Sequence, residues 1–169
     1  MQKDEHCTFS PRIRNSFNIF RERKINMENY KGIDDSFTLE IEFDNKTVFV
    51  GVMTHPILLF HSDVFDIAES YEPSLPCKRV LLANFQQDIS QFYAIPFLRK
   101  IPCLSEQSVF NPIKKRYDKI VLNGSKIKNK DIFLILENKN IEPIVSLDFA
   151  ESVLRRNIRG LQFKEVEVI

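Results

Sequence analysis

A chain of 169 residues with 43% apolar side chains can bury one core, and its formal net charge of +1 names no partner by bulk electrostatics. Only four glycines argue against a glycine-rich phosphate cradle, and no apolar run approaches a membrane span. Three scattered cysteines, Cys7, Cys77 and Cys103, form no CxxC pair, so neither a zinc knuckle nor a dithiol redox motif is supported and a reducing compartment fits.

Residues 1–30 are polar and basic with scattered aromatics and are expected to form either a loosely packed arm or a segment that packs late. They contain no apolar h-region, so no secretory signal peptide is expected. FTLEIEF, residues 37–43, alternates strictly and predicts a half-buried strand. Asp44-Asn45-Lys46 has turn chemistry, and with TVFVGVM after it the pattern predicts a β-hairpin. Pro56 breaks that strand, and Ser62-Asp63 predicts the cap of a short helix running to Tyr71. KRVLLANF predicts a strand. Pro96 and Pro102 within QFYAIPFLRKIPCLSE predict edge segments or loops. Residues 108–115 predict a turn, and YDKIVLN, DIFLILEN and IEPIVS predict short strands, the last at an edge because of Pro143.

The C-terminal stretch IVSLDFAESVLRRNIRGLQF predicts a helix capped by Ser146, with Leu147, Ala150, Leu154 and Ile158 on one apolar face and Val153 beside them. Gly160 is expected to be the left-handed cap glycine, with Arg155, Arg156 and Arg159 near the negative end of the helix dipole. Leu161 and Phe163 begin a further strand whose phase shifts in Glu165–Val168. The fold class expected from these elements is α+β: a mixed, mainly antiparallel sheet, a few short helices, and the C-terminal helix closing one face. A single domain over residues 1–169 is expected.

Charge is unevenly distributed. Residues 28–72 hold ten acids against Lys31 and Lys46, a balance of −8; residues 99–130 hold nine bases against Glu106 and Asp118, a balance of +7. Solvated faces account for most such blocks. The basic block, interleaved with Tyr93, Phe97, Phe110 and Tyr117, is the one cue for a nucleic-acid-binding module, but no known nucleic-acid motif accompanies it. Fifteen Phe and no Trp favour core packing of the rings over ligand contacts.

Catalytic chemistry is thinly represented. His61 with Asp63 fits a cap better than a metal or proton site. A small enzyme would need Cys77 or Cys103 beside His55 or His61, which no spacing demands. Asn123-Gly124-Ser125-Lys126 lacks the first glycine and the Lys-Ser order of a phosphate loop, so a strand-ending turn is expected. No catalytic residue, cofactor or metal is expected.

The order LNGSKIKNKDIFLI followed by PIVSLDFAESVLRRNIRGLQF, with YAIPFLRKIPCLSEQSVF upstream, resembles a family of bacterial immunity proteins of polymorphic toxin and contact-dependent growth inhibition systems. The resemblance covers residues 92–166 and rests on turns, caps and core positions. It implies a cytoplasmic, non-enzymatic antitoxin that binds one cognate toxin C-terminal domain, frequently a nuclease, in a one-to-one complex and occludes it. Neither a membrane nor a nucleic acid is expected as partner. Because a nuclease groove must be basic to hold phosphates, the expected toxin-binding residues are Asp34, Asp35, Glu40, Glu42 and Asp44.

Overall fold

The period-two pattern of FTLEIE produces strand β2 (Ser36–Glu42), with Leu39 and Ile41 buried and Glu40 and Glu42 exposed. The structure is a computed structural model that describes residues 10–14, 30–139 and 141–169. Most of the expected N-terminal arm lies outside the described residues. Its described part is not loose: β1 (Arg12–Ile13) pairs with β2, and Ile13 and Tyr30 are buried in the core.

The expected hairpin does not form. β2 pairs antiparallel with β1 and parallel with β5 (Cys77–Asn84). The turn itself is built as its residues dictate, with Asp44 Oδ1 accepting from Lys46 N at 2.9 Å and from Thr47 Oγ1 at 2.7 Å. Beyond it, Phe49 packs on Phe43 with ring centroids 4.9 Å apart instead of entering a ladder with β2. β3 (Val52–Met53) pairs with β4 (Leu59–His61) at the far edge. Ring burial, which an apolar run satisfies in any backbone conformation, sets the path of residues 43–51.

The main sheet has the order β1-β2-β5-β6-β4-β3, and every pairing except β2–β5 is antiparallel. β6 (Ile89–Pro96) lies inside this sheet, contrary to the edge position its proline predicts. Pro96 is the last strand residue, opposite Cys77, so its missing N–H falls where the ladder ends. The edge expectation does hold for β7 (Lys100–Ile101), which precedes Pro102, and for β12 (Ile144–Val145), which follows Pro143. Both flank β11 (Ile132–Ile135) in a three-stranded sheet. The turn expected at 108–115 joins β8 (Val109–Asn111) to β9 (Arg116–Lys119). β10 (Val121–Leu122) pairs with β13 (Glu167–Val168), so no strand forms at Leu161–Phe163.

One face of the main sheet is closed by its own loops around Leu39, Ile41, Val80, Leu82, Tyr93 and Ile95. The other face is covered at the β4 end by α1 (Ser62–Tyr71), through Phe60, Val64, Ile67 and Ala68. Its N-cap is His61, one residue earlier than expected, because Nδ1 accepts from Asp63 N at 3.2 Å. Asn123 caps a single helical turn, α2 (Gly124–Ile127), in place of the simple turn expected there. A third cluster, Cys103, Leu122, Phe133 and Ile135, lies under the small sheets.

The C-terminal helix α3 (Leu147–Leu154) packs on α1 and closes the β4 end of that face, with Tyr71 and Phe149 rings 5.4 Å apart and the Tyr71 hydroxyl 2.8 Å from Ser152 Oγ. Ser146 caps it as expected. The buried face differs: Phe149 and Val153 are buried, whereas Leu147 and Leu154 are 74% and 59% exposed. The reason is length. Asn157 already adopts left-handed φ, so the helix stops after two turns and buries one i,i+4 pair. Gly160, also left-handed, lies beyond the cap. The arginines fall just past the helix end, and Arg155 pairs with Glu151 at 3.2 Å. The fold is α+β, with a mixed, mainly antiparallel sheet and short helices.

Candidate functional site

Strand alternation places Glu40, Glu42, Arg79, Leu81 and Phe92 on the face of the main sheet that α1 covers only in part. Register builds this surface row by row. Thr38 lies opposite Leu81, and Leu81 opposite Phe92; Glu40 lies opposite Ala83, and Ala83 opposite Ser90. Phe92 is 62% exposed although it sits on an interior strand. Phe85, in the β5–β6 turn, is 70% exposed. That turn is held by Asn84 Oδ1, which accepts from Gln86 N at 3.1 Å and Gln87 N at 3.2 Å. Two exposed rings therefore stand on hydrogen-bonded backbone, with half-buried Leu81 level with Phe92. Sequence reasoning missed them because it assigned phenylalanine to the core. A signal existed: adjacent Phe92 and Tyr93 in one strand must face opposite ways.

The five acids expected to form one surface are distributed along β2 and its two ends. Asp34 and Asp35 precede the strand and Asp44 follows it, so the ends lie roughly 25 Å apart at the rise of an extended chain. Glu40 and Glu42 share the open face. Arg14 pairs with both, at 2.6 Å to Glu40 and 3.9 Å to Glu42, and Arg12 lies opposite Glu42. With Arg79 the face carries three arginines against two glutamates, so it is amphoteric and not acidic. On α1, Asp66 and Glu69 are exposed, have no ion pair among the described residues, and share a helix without a basic residue.

Asp35 serves a structural purpose. Lys78 is 9% exposed, and its ammonium meets Asp35 at 2.7 Å and the Tyr30 ring at 5.2 Å. The hydrogen bond from Lys78 holds the Asp35 carboxyl below its ordinary value, while Thr47 and Lys46 do the same for Asp44, and Asn111 chiefly for Asp118. A carboxyl depressed in the folded state contributes stability that is full above its unfolded pKa. That contribution is lost as pH falls through the lower folded value. Thermal melts are therefore expected to be flat in this respect above about pH 4 and to fall below it. Asp35→Asn leaves a buried ammonium without its anion and is expected to lower the melting temperature at pH 7. Lys78→Met, which removes charge and fills the same space, is expected to equal or exceed wild type.

The cysteine–histidine pairing fails on geometry. His61 is level with Tyr93 and Cys77 with Pro96, three residues further along β6, so they are roughly 14 Å apart and on opposite faces. His61 packs against the Tyr93 ring at 5.4 Å. Cys103 is fully buried, and desolvation pushes both the Cys77 and the Cys103 thiols up, away from the thiolate. Among the described residues no three His, Cys, Asp or Glu side chains converge to hold a metal, and no helix is long and apolar enough to cross a membrane. A cavity of about 250 Å³ between the two sheets is walled by Ile57, Ile95, Phe97, Leu98 and Leu134, with Lys100 and Glu137. It is smaller than typical small-molecule sites.

No family model, no curated protein and no solved structure matches this chain. The candidate site thus stands on its own geometry: an apolar row on a rigid sheet, bordered by paired charges.

Proposed function

We propose that this chain is an immunity protein that binds one toxin domain and neutralises it by covering its working surface, without catalysis of its own. The observation that carries this reading is Phe92, a large ring exposed on an interior strand whose backbone has no freedom to withdraw it. Rigid aromatic anchors in an apolar row are what tight protein interfaces use, and the surrounding Arg14–Glu40–Glu42 cluster supplies the charged rim. The resemblance of residues 92–166 to immunity proteins supports the toxin as partner.

The test is co-purification with the C-terminal domain of the protein encoded immediately upstream, together with survival of cells expressing that domain. Wild type is expected to bind it and to protect. Phe92→Ala combined with Phe85→Ala is expected to weaken binding about 30-fold or more while leaving the circular dichroism unchanged, because both rings are exposed. Absence of a complex with wild type would sink the reading. Undiminished binding by the double variant would remove this face from it.

A further inference from the structure

The basic half of the chain ends in a feature that the proposed docking face does not use. In the β8–β9 ribbon, Asn111 Oδ1 accepts from Ile113 N at 3.1 Å and from Lys114 N at 3.0 Å, and Lys115 closes the turn with a left-handed φ of 52°. The base is fixed as well, since Ser108 Oγ donates to Val121 O at 2.9 Å and accepts from Val121 N at 3.0 Å. The tip is therefore held in one shape, and that shape presents Ile113 at 92% exposure. Within the chain this side chain stabilises nothing. Behind it stand Phe110 and Tyr117, ring centroids 5.1 Å apart, with Phe110 and Val109 both exposed.

The charges on the ribbon have one dominant sign. Lys114, Lys115 and Arg116 face a single acid, Asp118, while Lys119 at the base pairs with Glu167 at 2.9 Å. The contacts of Asp118 to Lys114 and Arg116 are loose, at 3.7 and 3.8 Å, and Lys115 has no ion pair among the described residues. A net positive ribbon attracts groups of the opposite sign. Its occupant must be anionic. Nucleic acid fits poorly: Phe110 and Tyr117 meet edge to face, so neither ring lies free as a stacking platform, and nothing in base recognition uses an isoleucine at the tip. An anionic bilayer fits the layering. The convex apolar end, Pro112–Ile113, meets acyl chains; the lysines reach the headgroups; and the aromatic pair sits at interfacial depth.

We propose that the β8–β9 hairpin docks this chain onto anionic lipid surfaces, with Ile113 as the inserted residue and Lys114, Lys115 and Arg116 as the headgroup contacts. Such docking is peripheral contact by one turn, distinct from a membrane span, and departs from the expectation of no membrane partner. It is independent of the toxin-binding reading. Flotation with vesicles of phosphatidylglycerol and phosphatidylcholine in equal parts, against phosphatidylcholine alone, tests it. Wild type is expected to float with the anionic vesicles at least about tenfold more than with the neutral ones, less so as salt rises. Ile113→Asp and the pair Lys114→Glu with Lys115→Glu are each expected to lose that excess with unchanged circular dichroism. The proposal is overturned by failure of wild type to float, by Ile113→Asp floating as wild type does, or by a lysine-dependent shift of a 20-mer oligonucleotide without flotation.

Discussion

Phe60→Ala is expected to remove about 3–5 kcal/mol of stability, the usual range for a fully buried ring cut back to a methyl group. Phe60 is 1% exposed and lies where three structures meet. Its strand pairs with Val52 on one side and Ala94 on the other, and its ring enters the cluster that holds α1 and α3 to the sheet. α1 begins two residues later, so a cavity here undercuts both the helix and the strand that launches it. A domain of ordinary stability has roughly 5–15 kcal/mol in total, so the variant would be left marginal. Urea titration should show a lower midpoint with an unchanged slope. Phe60→Leu, which refills most of the space, should lose about 1–2 kcal/mol. Equal losses for Ala and Leu would mean that the ring's volume is not what holds α1. In a survival assay Phe60→Ala should act only through protein abundance, whereas the Phe92 and Phe85 pair should act at normal abundance.

Local pattern made parts of this fold legible. The strict alternation of residues 37–43 gave β2 its faces, and Ser146 announced the start of α3, because both signals are fixed by neighbours in sequence. Partners were not legible. β2 finds β1 and β5, from residues 12–13 and 77–84, and nothing in an alternating strand states which edge it will meet. Continuous apolar runs misled in the same way: TVFVGVM buries its rings without a ladder to β2, and QFYAIP enters the middle of the sheet despite its proline. The acidic block shows the limit for function. Charge counts are additive along the chain, but a surface depends on which bases fold back onto the acids. Arg14 and Lys78 do so for Glu40, Glu42 and Asp35, whereas Asp66 and Glu69 on α1 have no ion pair among the described residues. Chain separation between Arg14 and Glu40, or Asp35 and Lys78, hides that neutralisation from any local window.

The stretch IRGL, expected to end a helix at Gly160 and to start a strand at Leu161, turns out to fasten the C-terminal segment to the sheet, and Gly51 is its anchor. Gly51 N donates to Arg159 O at 2.8 Å, and Gly51 O accepts from His61 N at 2.8 Å, so one residue joins the segment after α3 to β4. A Cβ on Gly51 would meet Ile158 Cγ2 at 2.5 Å and Leu161 Cδ1 at 2.7 Å. Gly160 answers from the other side: its φ is +69°, and a Cβ there would run into the Val50 side chain. Both glycines are needed for the two backbones to approach this closely. Gly51→Val is therefore expected to lose about 3 kcal/mol or more, through overpacking and through release of Ile158 and Leu161, which pack against the cluster beneath α3. Gly51→Ala should lose about 1–3 kcal/mol. The colliding atoms belong to side chains, so truncating one of them gives a decisive control. Ile158→Ala in the Gly51→Ala background should be less destabilised than the sum of the two single changes, because the second substitution makes room for the first. Strict additivity in that cycle would show that the residue 158–161 segment does not rest on Gly51, and that α3 holds its place by its own contacts through Phe149, Ser152 and Val153.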